Sequence, residues 1–271
     1  MTRLDRSSIR TQEGIPYFSD PTLKRFEWLN HAFLTRQGGM SLSPYHSLNV
    51  SLENGDDQRA VLGNRDRIAY AFGFDPARLV LCQQIHQDGI FVLNDPALLS
   101  TNPMKFDAVI THLPDLYLGI LTADCLPIFI VDPKRRVIAA IHAGRQGSGL
   151  KITQKVLRTM KAQWRCAEED LLVVLGPSIG PCCYEVDDPV FSRQWEPFSI
   201  SKRAGRWMVD LAGINIAQMT EEGVGEHQIS RIDLCTRCHN DLFFSYRGEG
   251  VTGRQLSFIG MKGGSSSKSL G

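Results

Sequence analysis

No apolar run in this 271-residue sequence approaches the ~20 residues that a helix needs to cross a bilayer. The opening residues, Met1-Thr2-Arg3-Leu4-Asp5-Arg6, lack the apolar core of a secretory signal. Charge of one sign is not in excess: 30 Lys+Arg stand against 29 Asp+Glu, a net charge of +1. Nucleic acid is therefore not expected as the main partner, and neither is a membrane. The expectation is a cytoplasmic protein. Its seven cysteines then serve as thiols, ligands or catalytic groups rather than as a disulfide framework.

What is present is ordinary globular material, 42% apolar and 22% charged, enough to bury a sizeable core. There is no internal repeat and no Pro- or Ser-rich linker in the middle. The expected organisation is an N-terminal extension over 1–25, one domain over 26–262, and a Gly/Ser-rich flexible tail over 263–271. The extension includes a short strand near Tyr17 and Phe18. Helical spacing appears over 56–72, behind an acidic start, over 150–164 with Ser148 as N-cap, and over 211–222. Strand candidates cover 78–86, 89–94, 107–112, 117–131, 136–142, 171–176 and 228–233. Strands outnumber helices and do not alternate with them. That pattern argues for an α+β fold with largely antiparallel pairing rather than a doubly wound parallel sheet.

The most informative segment runs from Thr122 to His142. Two apolar runs flank Asp132-Pro133-Lys134-Arg135, a turn signal. A loop centred between Pro133 and Lys134 places Cys125 directly opposite His142 on one face of a hairpin, close enough to share a zinc ion. The bland alternative is a buried thiol and a satisfied histidine. Asp124 and Pro127 fit poorly in a central strand, so Cys125 is expected at a strand mouth. Gly144-Arg145-Gln146-Gly147-Ser148-Gly149 follows as a Gly-rich turn with backbone N–H groups suited to an anion. A third ligand could be His86, and a Cys/His/His set with one open position is the pattern of catalytic zinc. His31, His46 and His112 compete for that role.

Segments across the chain resemble the YfiH-like family, labelled multicopper polyphenol oxidases (laccase-type) and understood as purine nucleoside phosphorylases. They include Leu34-Thr35-Arg36-Gln37-Gly38-Gly39, Leu48-Asn49-Val50-Ser51, Gln84-Ile85-His86, Thr122-Ala123-Asp124-Cys125-Leu126-Pro127, His142-Ala143-Gly144, Gly176-Pro177-Ser178-Ile179, Cys235-Thr236 and Phe243-Phe244-Ser245-Tyr246-Arg247. The resemblance implies a layered α/β/β/α sandwich with mixed, largely antiparallel sheets in a single domain. It places zinc on His86, Cys125 and His142, which would also be the catalytic residues. It implies substrate or phosphate contacts at Arg36, Asn49, Gln84, Gly144 and Arg145. The implied activity is phosphorolysis of adenosine, inosine and methylthioadenosine, with some adenosine deamination; a copper-dependent phenol oxidation is also attributed to the family. Three departures stand out: Arg145-Gln146 where the family has Trp-Arg, Glu53-Asn54 where many members carry a histidine, and Gln87 in place of a glycine.

Other readings compete. Multicopper oxidation needs many histidines, and this chain has seven, scattered, although copper could occupy a zinc site. A cysteine hydrolase would use Cys125 as nucleophile and His142 as base. Cys235-Thr236-Arg237-Cys238-His239 matches the c-type haem pattern, which requires export and is not expected to carry haem here. Cys182-Cys183 could join Cys235 and Cys238 to supply four sulfurs, or all four could be buried thiols. Asp124 is the candidate proton donor to the purine.

Overall fold

The computed structural model describes residues 1–100 and 104–263. Two large sheets stack face to face. The seven-stranded sheet runs, in spatial order, Thr2–Leu4, Ile229–Ile232, Leu172–Leu175, Leu126–Asp132, Val137–Ala143, Ala108–Thr111 and Ile90–Leu93. The six-stranded sheet runs Arg10–Gln12, Ile15–Phe18, Leu29–Leu34, Gln255–Met261, Leu116–Thr122 and Leu79–Leu81. A small three-stranded sheet is built from Glu185–Asp187, Arg206–Val209 and Ser199–Arg203. Pairing is mixed and mostly antiparallel, as expected.

Period-two patterning makes the layers. Along Leu126–Asp132, Phe129 and Val131 point into the core between the sheets, with Phe33, Leu118, Ile120 and Ile259 opposite. Ile128 and Ile130 point to the outer face. There they meet Ile152, Val156, Leu157 and Met160, one stripe of the Ile152–Trp164 helix, beside the Leu211–Glu221 helix. On the far side, the Gln58–Phe72 helix buries Ile68, Ala71 and Phe72 against Ile15, Tyr17, Leu34 and Phe258. Asp57 caps that helix by accepting from the Arg59 amide at 2.7 Å.

Several expectations change. Residues 1–25, read as an extension, supply three strands to the two main sheets. In the expected tail, Gly263 donates its amide to Asp115, and 264–271 lie outside the described residues. Ser148 does not cap the helix over 152–164. It lies in a short helix, Arg145–Gly149, and the N-cap is Lys151 in the left-handed region at φ 61°. The Gly-rich turn is thus largely helical. The strand expected over 78–86 ends at Leu81. The run expected over 117–131 is two strands in different sheets, Leu116–Thr122 and Leu126–Asp132. The chain crosses between the sheets at Ala123-Asp124-Cys125, and Asp124 makes the bend at φ 93°. That crossing sets Cys125 at a strand mouth.

The hairpin register also differs. His142 pairs with Pro127, and Val137 pairs with Asp132. Asp132 stays in the ladder while its Oδ1 accepts the Lys134 and Arg135 amides at 2.9 Å, and Arg136 closes the turn at φ 52°. The loop centre moves by one residue and the register by two. A two-residue shift preserves the face, so Cys125 and His142 become diagonal neighbours on the same side.

Candidate active site

Beside that crossing, the two large sheets and the loops of the small one border a cleft of about 1080 Å³. His86, Cys125 and His142 meet on its wall, their ligating atoms all within 4.8 Å of one another. The two imidazoles meet edge to face, centroids 4.8 Å apart. Each group arrives by a different route. His142 lies near the end of the Val137–Ala143 strand, and Cys125 immediately precedes that strand's hairpin partner, Leu126–Asp132. His86 lies on the loop after Leu79–Leu81, in the left-handed region at φ 60°.

Asp107 organises the three. Its fully buried carboxylate accepts from His142 Nδ1 at 2.8 Å. It also accepts the amides of His86 at 2.9 Å, Gln87 at 2.8 Å and Ile85 at 3.3 Å. Its carbonyl takes the His142 amide at 2.7 Å. Burial alone would raise its pKa, but the His142 hydrogen bond and those amides outweigh burial and hold it low. Fixing Nδ1–H on a carboxylate leaves His142 Nε2 as the free lone pair, the arrangement of metal-binding histidines. Sequence reasoning had placed residue 107 only as a strand start. A lone Asp before Ala-Val-Ile-Thr carries no motif, and its role exists only in three dimensions.

Burial opposes ionisation of Cys125, but His142 first and His86 second favour the thiolate and hold its pKa below that of a free thiol. Burial likewise opposes charge on His142, and the Cys125 sulfur and Asp107 raise its pKa despite it. A thiolate beside two imidazoles, one locked by a carboxylate, is a soft/borderline donor set that fits zinc. Tetrahedral bonds of ~2.0–2.3 Å place such donors ~3–4 Å apart, compatible with this cluster. Gly144 stands against it: a Cβ there would meet Cys125 Sγ at 3.0 Å and His86 Cδ2 at 3.4 Å.

Of the other predicted residues, Arg145 lines the cleft and has no hydrogen-bond or ion-pair partner among the described residues. Gln84 also lines it, with its amide side chain closing a two-bond ring on Leu121: Nε2 donates to the carbonyl and Oε1 accepts the amide, each at 2.8 Å. Arg36 does not line the cleft. Its Nε donates to the His46 carbonyl at 2.9 Å, its Nη1 to the Asn240 carbonyl at 3.1 Å and to Glu249 at 2.8 Å, and it lies over the Phe244 ring. Asn49 is fully buried and is not a lining residue either. Its Nδ2 donates to Asp56 at 2.8 Å and its Oδ1 accepts the Arg254 amide at 2.9 Å, so it braces the rim. Asp124 lines the cleft, but its carboxylate is engaged within the fold. Its carboxylate accepts from the Thr236 and Ser245 hydroxyls at 2.6 and 2.7 Å and from the Arg247 amide at 2.6 Å.

The competing histidines lie elsewhere. His31 is buried, accepting the Asp20 amide on Nε2 at 2.9 Å, and His112 packs against Trp164. Sequence reasoning missed Arg65, Arg247 and Arg254, which line the cleft, and Tyr184, whose phenol is pushed up to about 12 by burial and by the Cys125 charge. The three arginines each donate to backbone carbonyls, of Val50, Glu185, and Thr252 with Gly253.

Comparison with known proteins agrees with this architecture. The family model described as multi-copper polyphenol oxidoreductase laccase matches residues 30–262. The chain is 33% identical over 246 residues to a protein named purine nucleoside phosphorylase YlmD from Geobacillus stearothermophilus, covering 84% of this chain and 88% of that one. It is 35% identical over 260 residues to a purine nucleoside phosphorylase of Deinococcus radiodurans, covering 93% and 95%. The crystal structure of YlmD from Geobacillus stearothermophilus superposes with a TM-score of 0.86 at 30% identity, over 94% of this chain and 99% of that one. The crystal structure of Bacillus licheniformis YfiH, titled a hypothetical protein, gives 0.83 at 31% identity over 94% and 99%.

Proposed function

The chain belongs to the multi-copper polyphenol oxidoreductase laccase family, and from that membership and the cleft we propose that it is a zinc-dependent purine nucleoside phosphorylase. The observation that carries the reading is the convergence of His86, Cys125 and His142 on the wall of a cleft that also presents the unpaired guanidinium of Arg145. Adenosine, inosine and methylthioadenosine are the proposed nucleosides, and phosphate is the co-substrate. The metal would be held by Cys125 Sγ, His142 Nε2 and a ring nitrogen of His86. Bound there, zinc would supply a Lewis acid and water activation, the chemistry that a side activity of adenosine deamination would use.

The remaining work falls to the chain itself. Leu52, Leu81, Leu121, Ile179 and Leu211 give the cleft apolar surface for a purine and exclude water. Arg145 holds the phosphate dianion and orients it toward the anomeric carbon, a charge-assisted contact made in a partly dehydrated site. Tyr184 stays a phenol at neutral pH and offers its O–H as a donor. Asp124 positions the Arg247 backbone through its three hydrogen bonds. The copper-oxidase reading is not favoured, because the groups of three or more potential ligands among the described residues include only two histidines. The cysteine-hydrolase reading fares no better, since a dyad has no use for a second imidazole on the thiol.

Purified protein should be incubated with each nucleoside, with and without phosphate, and the products separated. The expected result is base release that requires phosphate and yields pentose 1-phosphate. Base release at the same rate without phosphate would show hydrolysis and overturn the reading.

A further inference from the structure

Outside the proposed catalytic cluster lies a second group of sulfurs. Cys182, Cys183, Cys235 and Cys238 bring all four Sγ atoms within 4.8 Å of one another. Cys238 Sγ lies 3.6 Å from that of Cys182 and 3.4 Å from that of Cys183. We propose that these four cysteines form a structural zinc site that staples the loop lining the cleft at Ile179 and Tyr184 to the loop over 235–238.

Three observations support it. Tetrahedral zinc with ~2.3 Å bonds to sulfur sets its thiolates ~3.8 Å apart, close to these separations. Cys238 is as near to Cys182 as to Cys183, so the arrangement singles out no disulfide pair and suits a centre that uses all four. The loops are also pinned face to face: Ser178 and Cys235 form an isolated parallel bridge, and the Thr236 amide donates to the Ser178 carbonyl at 3.1 Å. Gly180 keeps the junction tight, since a Cβ there would meet Cys235 Cβ at 3.3 Å and Cys182 Sγ at 3.4 Å.

Binding would form four Zn–S bonds and release the thiol protons. The staple joins the loop that carries Ile179 and Tyr184 to the loop whose Thr236 hydroxyl holds Asp124. It does not depend on the phosphorylase reading.

The test uses the full chain with Cys125→Ala, which disables the first cluster and leaves these four cysteines intact. After dialysis against a weak chelator, this variant should retain one zinc per chain by elemental analysis. Reconstituted with cobalt, it should show the intense visible bands of a tetrahedral tetrathiolate. Adding Cys182→Ser and Cys238→Ser should remove both the zinc and the bands. A Cys125→Ala protein that keeps no zinc and shows no tetrathiolate spectrum overturns the proposal, as does a native mass two daltons low from a disulfide among these residues. The cobalt spectrum needs no serine variant, so the proposal stays testable even if those variants fail to fold.

Discussion

Asp107→Asn isolates the group that organises the proposed metal site. The carboxylate serves four N–H donors with two oxygens. Oδ1 takes His142 Nδ1 and the His86 amide, and Oδ2 takes the amides of Ile85 and Gln87. An asparagine has one oxygen and one NH2, so in either orientation its nitrogen faces N–H donors. With the nitrogen toward Ile85 and Gln87, the turn that holds His86 at φ 60° loses its acceptor and that ligand drifts. With the nitrogen toward His142, the ring is driven to the other tautomer, and Nε2 carries a proton where the metal needs a lone pair. One imidazole is compromised either way. Loss of such a partner weakens zinc binding by roughly 10–100-fold, or about 1.4–2.7 kcal/mol. The Asp107 carbonyl still receives the His142 amide, so the strand ends stay in place and the fold should survive. Competition against a chromogenic chelator measures the affinity, with circular dichroism as the control for folding. Zinc affinity within twofold of wild type in a folded Asp107→Asn protein would refute the reasoning.

How much of this was legible in the sequence depends on what each residue does. Strands with unbroken apolar runs, such as Leu126–Asp132 and Val137–Ala143, were readable because both their faces are buried. Leu29–Leu34 and Gln255–Met261 lie inside the six-stranded sheet and were missed. Each buries polar or small residues, His31 in one and Gln255, Ser257 and Gly260 in the other, which break the pattern that marks a strand. Gly260 is there because the Tyr117 ring occupies the space its Cβ would need. The Cys125–His142 pairing was legible in face though not in register, since parity survives a two-residue slip. Arg36 was misplaced because a Thr-Arg-Gln-Gly-Gly loop reads alike whether its guanidinium meets a ligand or, as here, Glu249 and two distant carbonyls. Asp107, Arg65 and Arg254 had no local signature at all.

Four further outcomes follow from particular contacts. Gly144→Ala suits its backbone (φ −76°, ψ 180°) but presses a methyl on Cys125 Sγ, so zinc affinity should fall while thermal stability stays within ~1 kcal/mol; unchanged zinc binding would count against the packing. Arg145→Ala should raise the phosphate KM about tenfold and leave bound zinc unchanged, with Arg145→Lys recovering part. Arg36→Ala, by contrast, should cost about 2 kcal/mol in denaturant unfolding without selectively weakening phosphate, because its side chain is only 13% exposed and paired to Glu249; the reverse pattern would restore Arg36 as a phosphate contact. The last outcome concerns pH. His31 is buried as a neutral imidazole, its pKa lowered to about 3 by burial first and by the nearby Lys24 charge second, and its Nε2 accepts the Asp20 amide, a bond that only the neutral ring can make. The unfolded chain takes up a proton near the ordinary value of ~6.5 and the folded chain does not. Stability is therefore full above that value and falls as pH drops from about 6.5 toward about 3. At pH 5 the loss from this residue is about 2 kcal/mol. Urea unfolding at pH 7 and pH 5 should show it, and His31→Gln, which keeps an acceptor for the Asp20 amide, should remove it. Equal pH sensitivity in the two proteins would mean that His31 is not the titrating group.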